Sequence, residues 1–140
     1  MFRLTNHDNF FEMSVFVEEE PQLPSFEDAN IEVSVGSHGF EGTASAWAHA
    51  EEMKKFCAEL VALNQVLSGE ANLSSMSPNE LTLKVFAANS RGQLAVQGSI
   101  GHHIVSENQS FWHSVSFGFE FEPSQLASVV KKPWVQRYVG

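Results

Sequence analysis

The sequence has almost no cysteine. Cys57 stands alone among 140 residues, so no intramolecular disulfide forms and the fold must be held by burial and hydrogen bonding. Nor is there an apolar run of the roughly 20 residues that a membrane-spanning helix needs. The start, Met1-Phe2-Arg3-Leu4-Thr5-Asn6-His7-Asp8, lacks the basic stretch and apolar stretch of a secretory signal, so a cytoplasmic protein is expected, with no membrane partner. Positive charge is scarce too: eight Lys and Arg stand against seventeen Asp and Glu, a net charge of −9. Between Arg3 and Lys54 lie eleven acids and no base. Such a balance repels phosphate backbones, which argues against nucleic acid as a partner, and attracts cationic surfaces. No nucleophile elbow, phosphate-cradling glycine loop, HExxH or EF-hand pattern is present, so no enzyme, metal or cofactor is expected.

What the sequence does have is apolar side chain: 43% of residues are hydrophobic, twelve of them Phe and three Trp. That is enough to pack a core, and the length fits one globular domain over residues 1–140. Hydrophobic alternation of period two recurs, and its parity can be checked across each turn, because a one-residue slip would send a strand's apolar set to the wrong face. Pairing Thr5 with Phe10 puts Phe2 and Leu4 on the face of Phe11, Met13 and Val15. Gly36-Ser37-His38-Gly39 reads as a turn, and pairing Val35 with Phe40 aligns Ile31 and Val33 with Ala44 and Ala46. Around Asn89-Ser90-Arg91-Gly92, pairing Ala88 with Gln93 aligns Leu81, Leu83 and Val85 with Val96, Gly98 and Ile100. A last strand runs from Phe111 to Phe121. Between these halves the period becomes helical, with Met53, Phe56, Cys57, Leu60, Leu63 and Leu67 on one stripe from about Ala48 to Leu67, closed by Ser68-Gly69. A short second helix is expected from Ser124 to Lys132, stopped by Pro133. The fold class is therefore α+β: about eight mostly antiparallel strands in a sheet or sandwich, one long amphipathic helix and a short C-terminal helix.

Few residues carry candidate chemistry. Cys57 lies on the apolar stripe and reads as core. His102 and His103 are neighbours near a loop, where strand geometry would point them to opposite faces, and His113 shares the apolar face of the last strand. The loop from Glu18 to Ala29 is different. Glu18, Glu19, Glu20, Glu27 and Asp28, with Phe26 among them, read either as a solvated charged face or as a landing site for a cationic partner, and the field of eleven acids without a base, which solubility alone does not require, speaks for the second.

The order of motifs resembles the WapI-like immunity proteins encoded beside polymorphic toxins in bacteria. The resemblance is carried by Gly39-Phe40-Glu41-Gly42, by Phe56, Leu60 and Leu63 in the helix, and by Gly69-Glu70-Ala71-Asn72-Leu73. Leu81-Thr82-Leu83, Gly92 with Val96-Gln97-Gly98, and the run Phe117-Gly118-Phe119-Glu120-Phe121-Glu122-Pro123-Ser124-Gln125-Leu126 complete it. It implies a non-catalytic protein that binds a toxin's effector domain, and the acidic balance points to a basic one. Affinity would then rest on a few aromatic anchors, for which Phe26, Trp112 and Trp134 are the expected exposed residues. The rival reading is a small-molecule or lipid binder in which Phe117, Phe119 and Phe121 line a cavity of a curved sheet.

Overall fold

The computed structural model describes all of residues 1–140. Its first half is a meander of β1 (Phe2–Asn6), β2 (Asn9–Val17), β3 (Ala29–Ser37) and β4 (Phe40–Ala48), hydrogen-bonded in that order as one antiparallel sheet. Helix α1 (Ala50–Val66) follows. The second half builds another antiparallel sheet from β5 (Glu70–Ser74), β6 (Leu81–Ala87), β7 (Leu94–Val105) and β8 (Ser110–Phe121), again in chain order, and ends in α2 (Pro123–Val129) and α3 (Pro133–Val139). This is the α+β arrangement of eight strands with one long helix that the periodicities imply.

Alternation does what parity requires. Phe2, Leu4, Phe11, Met13, Ile31 and Val35 of the first sheet and Leu83, Val85, Val96, Ile100, Phe119 and Phe121 of the second are all buried, joined in one apolar cluster. Strand β8 ties the sheets by crossing the first one. The Asn6 side-chain amide donates to the Glu120 carbonyl at 2.7 Å, the Ser37 hydroxyl donates to the Gly118 carbonyl at 3.1 Å, and the Phe11 and Phe117 rings lie 5.5 Å apart. At the far side Gly42 of β4 meets Val115: a Cβ on Gly42 would sit 2.9 Å from a Val115 methyl. The glycine is what lets β4 and the β7–β8 hairpin pass so closely.

Helix α1 buries Met53, Phe56, Cys57, Leu60 and Leu63, the stripe set by its 3.6-residue period. Its polar flank has a second use. Edge strand β5 offers unpaired backbone groups, and α1 covers them: Glu59 accepts from the Asn72 N–H at 3.0 Å, Glu52 accepts from the Ser74 N–H at 3.0 Å, and Lys55 donates to the Asn72 carbonyl at 2.9 Å. Edge strand β1 is treated alike. The Gln125 amide accepts from the Thr5 N–H at 2.8 Å and donates to the Thr5 carbonyl at 2.9 Å, standing in for a neighbouring strand.

Two expectations need correction. The β3–β4 register pairs Val35 with Gly42 and Ser37 with Phe40, two residues from the expected pairing of Val35 with Phe40. The faces are unchanged, because a shift of two preserves parity. The cause is the turn: His38 and Gly39 form a two-residue loop with φ of 52° and 88°, the doubly positive geometry that fits the twist of a hairpin, so Gly36 and Ser37 stay in the strand. Pro133 does not stop a helix. It opens α3 at its first position, where the missing N–H would have had no partner in any case.

Leu60 is 1% exposed and packs where α1 meets the sheets, so Leu60→Ala is expected to cost about 2–5 kcal/mol of stability. Denaturant melts measure it. An unchanged midpoint would mean that α1 does not close the core.

Candidate partner-binding surface

The acidic loop between β2 and β3 is present but largely committed to the fold. Asp28 accepts from the Ala50 N–H at 2.8 Å and so caps α1 from beyond β3 and β4, where the helix's own N-cap, His49, supplies no side-chain bond. Glu27 pairs with Lys54 at 3.3 Å, and its carbonyl accepts from the Tyr138 hydroxyl at 2.6 Å. Glu19 pairs with Arg137 of α3 at 2.9 Å. The loop is therefore a clasp that fastens the start of α1 and the C-terminal helix. Glu18 and Glu20 alone among its five acids lack such a contact. Phe26 stays at the surface, 37% exposed.

The two tryptophans part company. Trp134, expected at the surface, is buried at 8% exposure and stacks on Phe2 with ring centroids 6.0 Å apart. Its place at the start of α3 turns it inward, so it is a core residue of the fold rather than an exposed aromatic. Trp112 is 45% exposed on β8.

Around Trp112 lies a feature that the local sequence signals did not bring out. The β7–β8 ladder continues past the body through the pairs His102 with His113, His103 with Trp112 and Ile104 with Phe111. Strand β6 ends opposite Ile100, and every residue from 102 to 114 is exposed. The hairpin thus leaves the sandwich beyond Gly101 as a two-stranded ribbon. One face carries His102, Ile104, Phe111 and His113, the other His103, Val105 and Trp112, and Ile104, Val105 and Phe111 are 47%, 73% and 52% exposed. His102 and His113 lie across from each other with ring centroids 5.7 Å apart. The signal was available: the register that pairs Ile100 with Val115 carries the period-two alternation on to Ile104 and Phe111.

Other surfaces are grooves open to solvent. One, of about 700 Å³, runs over the outer face of the first sheet beside Glu12, Glu32, Ser34 and Thr43 and reaches His102. Another, of about 720 Å³, lies between the His7 and His38 turns and the second sheet. Phe117, Phe119 and Phe121 are 6%, 8% and 1% exposed: these rings fill the core, and only edges of Phe117 and Phe119 reach the second groove. Buried Cys57 has its thiol pushed up from 9.0 to about 12 by desolvation, which removes the thiolate that nucleophilic chemistry needs. No group of three or more His, Cys, Asp or Glu is placed to hold a metal, and no helix is long and apolar enough to cross a membrane.

Residues 2–132 match the model of the immunity protein WapI-like family. No curated protein and no solved structure matches the chain.

Two outcomes follow from the clasp and the buried thiol. Asp28→Ala is expected to cost about 0.5–2 kcal/mol through the lost helix cap, read from denaturant melts, whereas Glu20→Ala stays within about 0.5 kcal/mol of the parent. Equal effects would deny Asp28 its capping role. Stability is also expected to fall as pH rises from 9.0 towards 12, since the unfolded chain releases the Cys57 proton across that window while the folded chain keeps it. Cys57→Ala should flatten this part of the pH profile. A slope unchanged in Cys57→Ala would show that the thiol does not drive it.

Proposed function

This chain belongs to the WapI-like immunity protein family, and on that premise we propose that it is a non-catalytic inhibitor that binds the effector domain of a cognate toxin and blocks it in the cytoplasm. The family match over residues 2–132 carries this reading. The charge distribution supports a basic effector domain. Five of the eight bases are paired with acids inside the molecule, whereas Glu18, Glu20, Glu32 and Glu41 make no ion pair. Uncompensated carboxylates of one sign steer an oppositely charged partner and raise association rates by about 10 to 10³. Each exposed ion pair contributes only about 0 to 1 kcal/mol, so affinity must come from apolar contacts. The small-molecule reading finds less support, because the three phenylalanines that were to line its cavity are packed into the core.

Two measurements test the proposal. Co-expression with the effector domain encoded beside this chain should abolish that domain's toxicity, and the purified pair should form a complex. Persistent toxicity with no complex contradicts the proposal. Stopped-flow association should slow at least about 10-fold at low salt when Glu18, Glu20, Glu32 and Glu41 are changed to Gln, with dissociation little altered. An unchanged on-rate would remove steering from the account.

A further inference from the structure

Accepting the toxin-neutralising reading, we infer that the β7–β8 ribbon beyond Gly101 and Ser114 is the element that docks, and that its occupant is an apolar cleft or strand edge of a basic effector domain. A two-stranded hairpin on its own is at best marginally stable in water, and this one has free backbone on both sides. The last backbone cover on β7 is the Glu80 carbonyl, which accepts from the Gly101 N–H at 3.1 Å. On β8 the side-chain cover stops at Ser37 and Gly118. Elsewhere the fold covers β1 with Gln125 and β5 with Glu52, Lys55 and Glu59.

Composition agrees with docking. Interface centres are depleted in charge and enriched in aromatics, and the ribbon presents Ile104, Val105, Phe111 and Trp112 with Glu107 as its one Asp, Glu, Lys or Arg. A long, apolar edge without Lys, Pro or a covering element is a template for pairing with another chain. The flanks choose the partner. From Gly92 to Val130 there is no Lys or Arg, and β4, which the ribbon passes, adds Glu41 and no base. Carboxylates without cations beside an apolar patch complement a cleft rimmed by Lys and Arg, whereas a second copy of a chain with net charge −9 is repelled.

The test uses the full chain and the effector domain encoded beside it, with calorimetry for affinity and melting temperature as the control for folding. Two variants serve: Trp112→Ser combined with Phe111→Ser, and a chain in which residues 102–113 give way to Asn-Gly, joining Gly101 to Ser114, which lie opposite each other. Both should melt close to the parent and bind at least about 30-fold more weakly, while Phe16→Ser, at an exposed phenylalanine of β2 outside the ribbon, binds as the parent does. If the parent binds and both variants bind equally well, the ribbon inference is overturned and toxin neutralisation stands. If the parent itself does not bind, that reading falls, and the effector domain as occupant with it. Sedimentation across concentration covers the remaining case: a dimer of the parent that both variants lose would make a second copy the occupant and overturn this assignment.

Discussion

A sheet of four strands has two edges, and this chain folds two such sheets; disposing of the unpaired backbone along those edges is the constraint on which the rest of the structure depends. The answer is made largely of side chains. Gln125 at the start of α2 acts as a strand for Thr5, three residues of α1 act as one for Asn72 and Ser74, and Ser37 and Asn6 bond the margin of β8 where it crosses the first sheet. The α1 contacts hold the next element in the chain, whereas those of Gln125, Asn6 and Ser37 join elements distant in sequence. Edge cover and tertiary closure are therefore the same event, which accounts for the placement of helices whose apolar stripes alone leave direction along the sheet open.

The same economy explains the acidic loop. As a run of letters Glu18 to Asp28 is a one-sign field. In the fold it is a fastener, because the loop passes the positive end of α1 and Arg137 of α3. Asp28 supplies an oxygen to an orphaned helix N–H, and Glu27 and Glu19 meet Lys54 and Arg137. Acids without an ion pair lie on β3 and β4 as well as on the loop, Glu32 and Glu41 beside Glu18 and Glu20, so the proposed steering does not rest on the loop alone.

Much of the fold was legible because period and parity are local. Five of the six expected stripe residues, the sixth, Leu67, being the left-handed cap that ends α1, the pairing of Ala88 with Gln93 and the inward Phe117, Phe119 and Phe121 follow from spacing alone. What was not legible depends on chain neighbours that spacing does not reveal. Trp134 looks like a surface aromatic until α3 is turned onto Phe2. Glu19 and Glu27 look free until Arg137 arrives from the other end of the chain and Lys54 from α1. The ribbon escaped because histidines blur the apolar alternation of β7 after Ile100, although the register across β8 continues through them.

Side chains cover the edges at β1, β5 and the body of β8 and leave the ribbon bare, and residue-resolved amide hydrogen exchange of the free protein reads that contrast directly. The Thr5, Asn72, Ser74 and Gly118 amides, all held by side chains, should exchange orders of magnitude more slowly than amides between residues 102 and 114, which open locally. Ribbon amides as protected as those four would contradict it, by showing that the ribbon is already paired or that side-chain cover is not what secures the edges.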